Sequence, residues 1–200
     1  MDDADPSLTA RLDDPDRVEE LVERYGDRVY RLALRITGVE EDAAEAVEHA
    51  LQTARTLRSS TDETELGSRI YRTVARAAYY RRERRQHVEK SVLDDVVPPL
   101  DVDDRHFAPM SDWSTRIDEP MLQGELHGIL MDAIDALPAD YRTALILHDV
   151  ESASKVDIAQ VLGVDVPAVA SLVHRARLFV RKRLFEYFES ARRILAIPGQ

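Results

Sequence analysis

The chain has 200 residues, 44% of them hydrophobic, no cysteine, and 38 acidic against 27 basic side chains, a formal net charge of −11. This is enough apolar material for one or two small domains, and it excludes disulfides and thiolate metal sites. No stretch approaches the ~18 consecutive apolar residues of a membrane span. The opening sequence MDDADPSLTARLDDPDR is acidic where a signal peptide would be basic and then apolar, so a cytoplasmic protein without membrane insertion is expected.

Residues 1–14 read as an acidic, flexible arm. Pro15–Asp16 then opens a long helix with Val18, Leu21, Val22, Tyr25, Val29, Leu32 and Ile36 on one side, closed by Gly38. A second helix begins at Glu40–Asp42, acids well placed for the helix dipole, and turns Ala43, Ala46, Val47, Ala50, Leu51, Ala54 and Leu57 inward before a break at Ser59–Thr61. The third starts near Glu63, carries Leu66, Ile70, Val74, Ala77 and Ala78, and runs through Tyr79 and Tyr80 into RRERR at Arg81–Arg85. Aromatics beside a basic run fit a surface on which single-stranded bases stack; the competing reading makes Tyr71, Tyr79 and Tyr80 partly buried core and the arginines a solvated helix end.

Between Val92 and Glu119 lie Pro98–Pro99, five aspartates from Asp94 to Asp104 and one large anchor, Trp113, a composition that fits a linker. A helix over roughly Met121–Leu137 follows, with Leu122, Leu126, Ile129, Leu130, Ala133, Ile134 and Leu137 inward. Pro138 restarts the chain into Tyr141–Val150. Ile158, Val161 and Leu162 then form a short apolar stripe, Gly163 suits a left-handed turn, and Asp165 suits an N-cap. Val166, Val169, Val173, Ala176, Val180 and Leu184 recur every three or four residues, with Pro167 tolerated in the first turn. This is the pattern of a helix-turn-helix, in which Ser171, His174, Arg175 and Arg177 would meet base edges or phosphates and Arg181 and Lys182 lie further along. A helix pair with a Gly turn and a solvated basic face also occurs in proteins that never touch DNA.

The expected fold is therefore all-α: two small helical domains, residues 15–92 and 121–190, joined by an acidic linker at 93–120, with the helix-turn-helix in the second and a tail at 191–200. The negative excess sits in the first 122 residues, since residues 123–200 hold 9 basic and 10 acidic side chains. Such a field repels free DNA, so a partner must supply the affinity. No Gly-rich phosphate loop, nucleophile elbow or His-Glu metal spacing is present; no catalytic residue, metal ligand or cofactor is expected.

The order of parts resembles a family, the extracytoplasmic-function class of bacterial sigma factors. YRLALRITGVEEDAAEAV at Tyr30–Val47 and IYRTVARAAYYRRERR at Ile70–Arg85 are similar to its region 2, and ALPADYRTALILHDVESASKVDIAQVLGVDVPAVASLVHRARLFVRKRL at Ala136–Leu184 to its region 4. The resemblance implies a dissociable initiation subunit: region 2 docks on core RNA polymerase and opens promoter DNA near −10, region 4 reads the −35 element, and an anti-sigma factor is a possible further partner. By motif, Asp42, Glu45 and Glu48 face the polymerase, while Arg76, Tyr80, Arg81, Arg82 and Arg85 face −10 DNA. This chain departs from the family at Ile70 and Ala77, where a tryptophan and an asparagine are frequent, and at Ala170 and Leu172, often cationic in the recognition helix. The alternative is a degenerate sigma-like protein that holds polymerase or an anti-sigma factor without opening promoters.

Overall fold

The computed structural model describes residues 15–55, 63–85 and 120–195. Regular structure among the described residues is helical throughout: α1 (Pro15–Thr37), α2 (Glu40–Arg55), α3 (Glu63–Arg85), α4 (Pro120–Asp135), α5 (Ala139–Leu145) with a π-helical turn at Ile146–Val150, α6 (Lys155–Leu162) and α7 (Val166–Leu195). The predicted arm, Leu57, the break at Ser59–Thr61 and the linker with Trp113 lie outside the described residues, as do the side chains of Val18 and Leu122.

Helices α1, α2 and α3 pack on one another through the apolar stripes that the sequence carries. Val29, Leu32, Ile36, Ala43, Ala46, Ala50, Ile70, Val74 and Ala78 are buried almost completely. The small side chains of α2 let its backbone approach α1 and α3 closely. Val22, predicted inward, is exposed, because it sits beside rather than on the Leu21–Tyr25–Val29 line.

The C-terminal helices contribute to two cores. Ala139, Ala144, Ile146, Leu147, Ile158, Val161, Leu162, Val169 and Val173 join the cluster built by α1–α3. A second cluster, Ala133, Leu137, Leu145, Ala176, Phe179 and Val180, binds α4 to α7. Val166 is exposed and Phe179, outside the predicted stripe, is buried. The stripe starts one turn later than the sequence suggests, since the first turn of α7 projects beyond α6. Helix α7 also continues into the predicted tail, with Glu186 reached by Lys182 at 4.0 Å and Arg183 at 3.8 Å, spacings that support a helix.

The corner after α1 is a constraint on everything near it. Gly38 has φ +72°, and its N–H closes on Leu34 O at 2.8 Å. The Thr37 hydroxyl donates to Ala33 O at 2.9 Å and accepts from Val39 N at 3.2 Å. A Cβ on Gly38 would lie 3.3 Å from an Arg82 nitrogen and 3.4 Å from an Arg142 nitrogen.

The helix predicted for Tyr141–Val150 changes pitch within itself. From Ile146 the bonding is i to i+5, Glu151 N reaching Ile146 O at 3.1 Å, and Ser152 follows at φ +55°. The wider turn aims Asp149 at α7 and Glu151 at α1. Asp149 accepts two bonds from Arg177, at 2.5 and 2.9 Å, and its carboxyl is held below the usual carboxylate range, first by those bonds and then by His148.

Replacing Gly38 with Ala forces a side chain into the left-handed region against two guanidinium groups; urea unfolding should show a loss of about 1–2 kcal/mol with unchanged slope. A depressed carboxylate stabilises the fold above its ordinary value near ~4 and loses that contribution as pH falls through the folded value. Asp149→Asn should therefore lower Tm near neutral pH, and the difference from wild type should vanish as thermal melts are carried to acid pH, below the depressed folded value.

Candidate nucleic-acid interface

The C-terminal site rests on α6 and α7, which cross at 92°. Ser154 caps α6 by accepting from Asp157 N at 3.1 Å, a cap whose signal in the sequence is a serine three residues before an aspartate. Gly163 ends α6 at φ +71°, and Asp165 caps α7, its Oδ1 accepting from Ala168 N at 2.8 Å. These restraints fix the turn, so the α7 face is positioned by backbone chemistry rather than by a ligand.

On that face Ala170 and Arg177 are exposed, and Ser171, His174 and Arg175 are half-buried. The Arg175 guanidinium lies 5.8 Å from the Tyr141 ring centroid, a contact that orients it. Arg177 is turned toward Asp149. Leu172 packs against the first core cluster, so an apolar residue there serves the fold; Ala170 has no such role.

The α3 residues separate into three environments. Arg76 and Tyr80 are exposed and stacked, with the guanidinium 5.7 Å from the ring centroid. Tyr80 packs at 5.2 Å on Tyr79. Arg81 bonds Glu45 at 3.2 Å, and Arg85 Nε lies 3.0 Å from Asp42 Oδ2, an ion pair not aligned as a hydrogen bond. Arg82 is different: only 6% exposed, it donates to Thr37 O at 2.9 Å, Asp135 O at 2.8 Å and Leu137 O at 3.3 Å. Burial, with Arg142 beside it, pushes its guanidinium down to about 10 despite the Asp135 carboxylate. In this arrangement Arg82 does not reach solvent, contrary to its expected place on the −10 face, because the ends of α1 and α4 have taken its donors.

Tyr79, too, is turned inward, its hydroxyl donating to Asp140 at 2.8 Å; burial and that contact raise its phenol. Of Tyr71, Tyr79 and Tyr80, the first is half-buried, the second buried and the third exposed. Ile70 and Ala77 are buried, so neither side chain touches DNA in this arrangement.

The candidate polymerase-facing carboxylates occupy successive turns of α2. Glu48 and Glu45 are exposed, Glu48 accepting from Gln52 at 3.0 Å. Asp42 retains 14% of its side-chain exposure, covered by Arg85, and is less open than the sequence led one to expect. The arrangement thus sets an acidic α2 surface directly against the basic α3 surface, two of the three carboxylates already neutralised. Among the described residues no cluster of His, Asp and Glu has metal-binding geometry, and no single helix is long and apolar enough to cross a membrane.

Sequence reasoning missed Arg142, which is 1% exposed and bonds Arg35 O at 2.8 Å and the Asp135 carboxylate. Its one signal was a lone arginine inside the apolar run YRTALIL.

Residues 127–180 match the family model described as sigma-70, region 4. The chain is 29% identical over 170 residues to the ECF RNA polymerase sigma factor SigE of Mycolicibacterium smegmatis, an alignment covering 84% of this chain and 62% of that protein. It is 27% identical over 184 residues to the ECF RNA polymerase sigma-E factor of Haemophilus influenzae, covering 90% and 95%, and 24% identical over 172 residues to SigW of Bacillus subtilis, covering 86% and 90%. Among solved structures, the fold is similar to the sigma factor RpoE in complex with the anti-sigma factor NepR from Bartonella quintana, with a TM-score of 0.50, 18% identity, and 84% and 96% coverage. Over most of its length the chain is thus similar to ECF RNA polymerase sigma factors, and its residues 127–180 match sigma-70, region 4.

Proposed function

We propose that this protein is a sigma factor: it binds core RNA polymerase in the cytoplasm and directs it to a restricted promoter set, with no catalysis of its own. The observation that carries this reading is the capped, right-angled α6–α7 pair inside the region 4 match. In this reading Ser171, His174, Arg175 and Arg177 meet −35 DNA, and Arg76, Tyr80, Arg81 and Arg85 meet −10 DNA, Arg82 being engaged by the ends of α1 and α4. Asp42, Glu45 and Glu48 meet the polymerase. A stacked Arg76–Tyr80 pair suits an unpaired base and its phosphate, while carboxylates on successive turns of α2 suit a basic partner surface. An anti-sigma factor is a further partner in the same reading.

The direct test is titration against core polymerase lacking sigma, followed by transcription from a pooled genomic template. Tight binding with discrete transcripts is expected. Tight binding without transcripts would transfer the assignment to the degenerate, sequestering reading, which the apolar Ile70, Ala77 and Ala170 motivate. Absence of binding would remove both.

Arg175→Ala and Arg177→Ala should each weaken promoter binding by the holoenzyme and reduce its log–log salt slope by about 1, with core binding unchanged. Glu45→Lys with Glu48→Lys should lower affinity for core polymerase by about tenfold while helical content and Tm stay near wild type; unchanged affinity would place the polymerase contact elsewhere.

A further inference from the structure

The exposed tip of the α6–α7 pair carries no side chain that can donate a hydrogen bond. From Gly163 to Ala170 the sequence is GVDVPAVA, and the first side-chain donor on α7 is the Ser171 hydroxyl, followed by His174 and Arg175. Val164 and Val166 are 38% and 40% exposed, with Pro167 and Ala170 exposed beside them. The single ionisable group of the segment, the Asp165 carboxylate, accepts from Ala168 N at 2.8 Å and is engaged in capping the helix. Val166, Ala170, His174 and Arg177 recur at spacings of four, four and three, so they share one face of α7. That face is apolar at its N-terminal end and polar further along.

We propose that Val166 and Ala170 read the C5 methyl groups of thymine in the major groove, so that the element this chain selects carries thymine, not guanine, under the first two turns of α7. The inference rests on the sigma factor reading and extends it to base preference. Among the groups on the major-groove edge only the thymine methyl is apolar; guanine presents two acceptors, which need a donor, and the amino groups of adenine and cytosine need a free acceptor. The tip has no donor, and its carboxylate is taken by the cap. In a helix pair of this kind the N-terminal residues of the second helix are the ones brought to base edges. At 1.5 Å of rise per residue Val166 and Ala170 lie about 6 Å apart along the axis, so the two methyls belong to base pairs about one or two steps apart. A protein partner fits the patch less well. Val164, Val166, Pro167 and Ala170 fall far short of the about 20–30 residues that a standard interface takes from each side, and they run directly into Ser171, His174 and Arg175.

Holoenzyme assembled from core polymerase and the full chain tests this by selection from duplexes randomised over the upstream element. The selected duplex is then resynthesised with each thymine in turn replaced by deoxyuridine, which keeps every hydrogen-bonding group and lacks the methyl. At one or two positions the replacement should weaken holoenzyme binding about fourfold, the worth of one buried carbon. Val166→Ala should bring that ratio close to one at one of these positions and leave it at the other. Ala170→Arg, which adds a bidentate donor, should change the selected base at its position from thymine to guanine. A selected element without thymine, equal binding of thymine and deoxyuridine duplexes, or a V166A holoenzyme that keeps the wild-type ratio at every position would each overturn the proposal. Loss of core polymerase binding in folded V166A, with base preference intact, would overturn it too and make the patch a protein contact. A wild-type holoenzyme that shows no sequence preference would remove the sigma factor reading itself, and this proposal with it.

Discussion

Two guanidinium groups, one carboxylate and a glycine corner meet where α1 and α4 both end. Helix C-termini leave carbonyls without intrahelical partners and carry partial negative charge. Here those carbonyls, Arg35 O and Thr37 O on α1 and Asp135 O and Leu137 O just beyond α4, are satisfied from outside by Arg142 and Arg82. A buried guanidinium without partners would be far too costly to fold around, so the two helix ends and the two arginines require one another. Gly38 is the residue that lets both nitrogens in. The asymmetry of the node, two cations facing one carboxylate, makes the main-chain carbonyls essential to its balance, and it adds to the burial that pushes Arg82 down rather than up.

From this node the remaining contacts follow. With the end of α1 bound to α5 through Arg142, the π turn after α5 lies beside α1, and Glu151 reaches Arg35. The same turn leaves Asp149 on the other side, against Arg177 of α7. Helix α6 is then held against α3, where Arg72 spans to Asp157 and Gln160. Asp157 serves twice, since its backbone N–H and carboxylate also close the Ser154 cap that starts α6. A cap that orders one helix thereby orients the acid that docks it on another.

What was legible in the sequence was local. The alternating three- and four-residue spacing gave the buried stripes of α1, α2 and α3, and Gly163 with Asp165 gave the turn and cap of the helix pair, because each depends on neighbours within a few residues. The long-range partners were not legible. Arg82 bonds residues 45, 53 and 55 positions away, and Arg142 bonds one 107 positions away. An arginine at a helix end reads from sequence as solvated or as a phosphate contact, and only tertiary packing distinguishes these from a helix-end cap. Val22 and Val166 were misread for a related reason: an apolar residue at the margin of a stripe is buried only if a partner helix extends that far.

The arginine-rich face of this chain is largely spent on its own acids. Arg81 and Arg85 are paired with Glu45 and Asp42, Arg177 with Asp149, and Arg82 with the helix ends, in a chain whose formal charge is −11. A phosphate must displace an existing carboxylate at each of these positions and approach against the overall field, so each new contact yields only the difference between two similar interactions. Arg76 and Arg175 are set over rings instead, those of Tyr80 and Tyr141. A basic surface that engaged Asp42 and Glu45 would change that competition, because these two acids of α2 are the ones that hold Arg85 and Arg81 of α3.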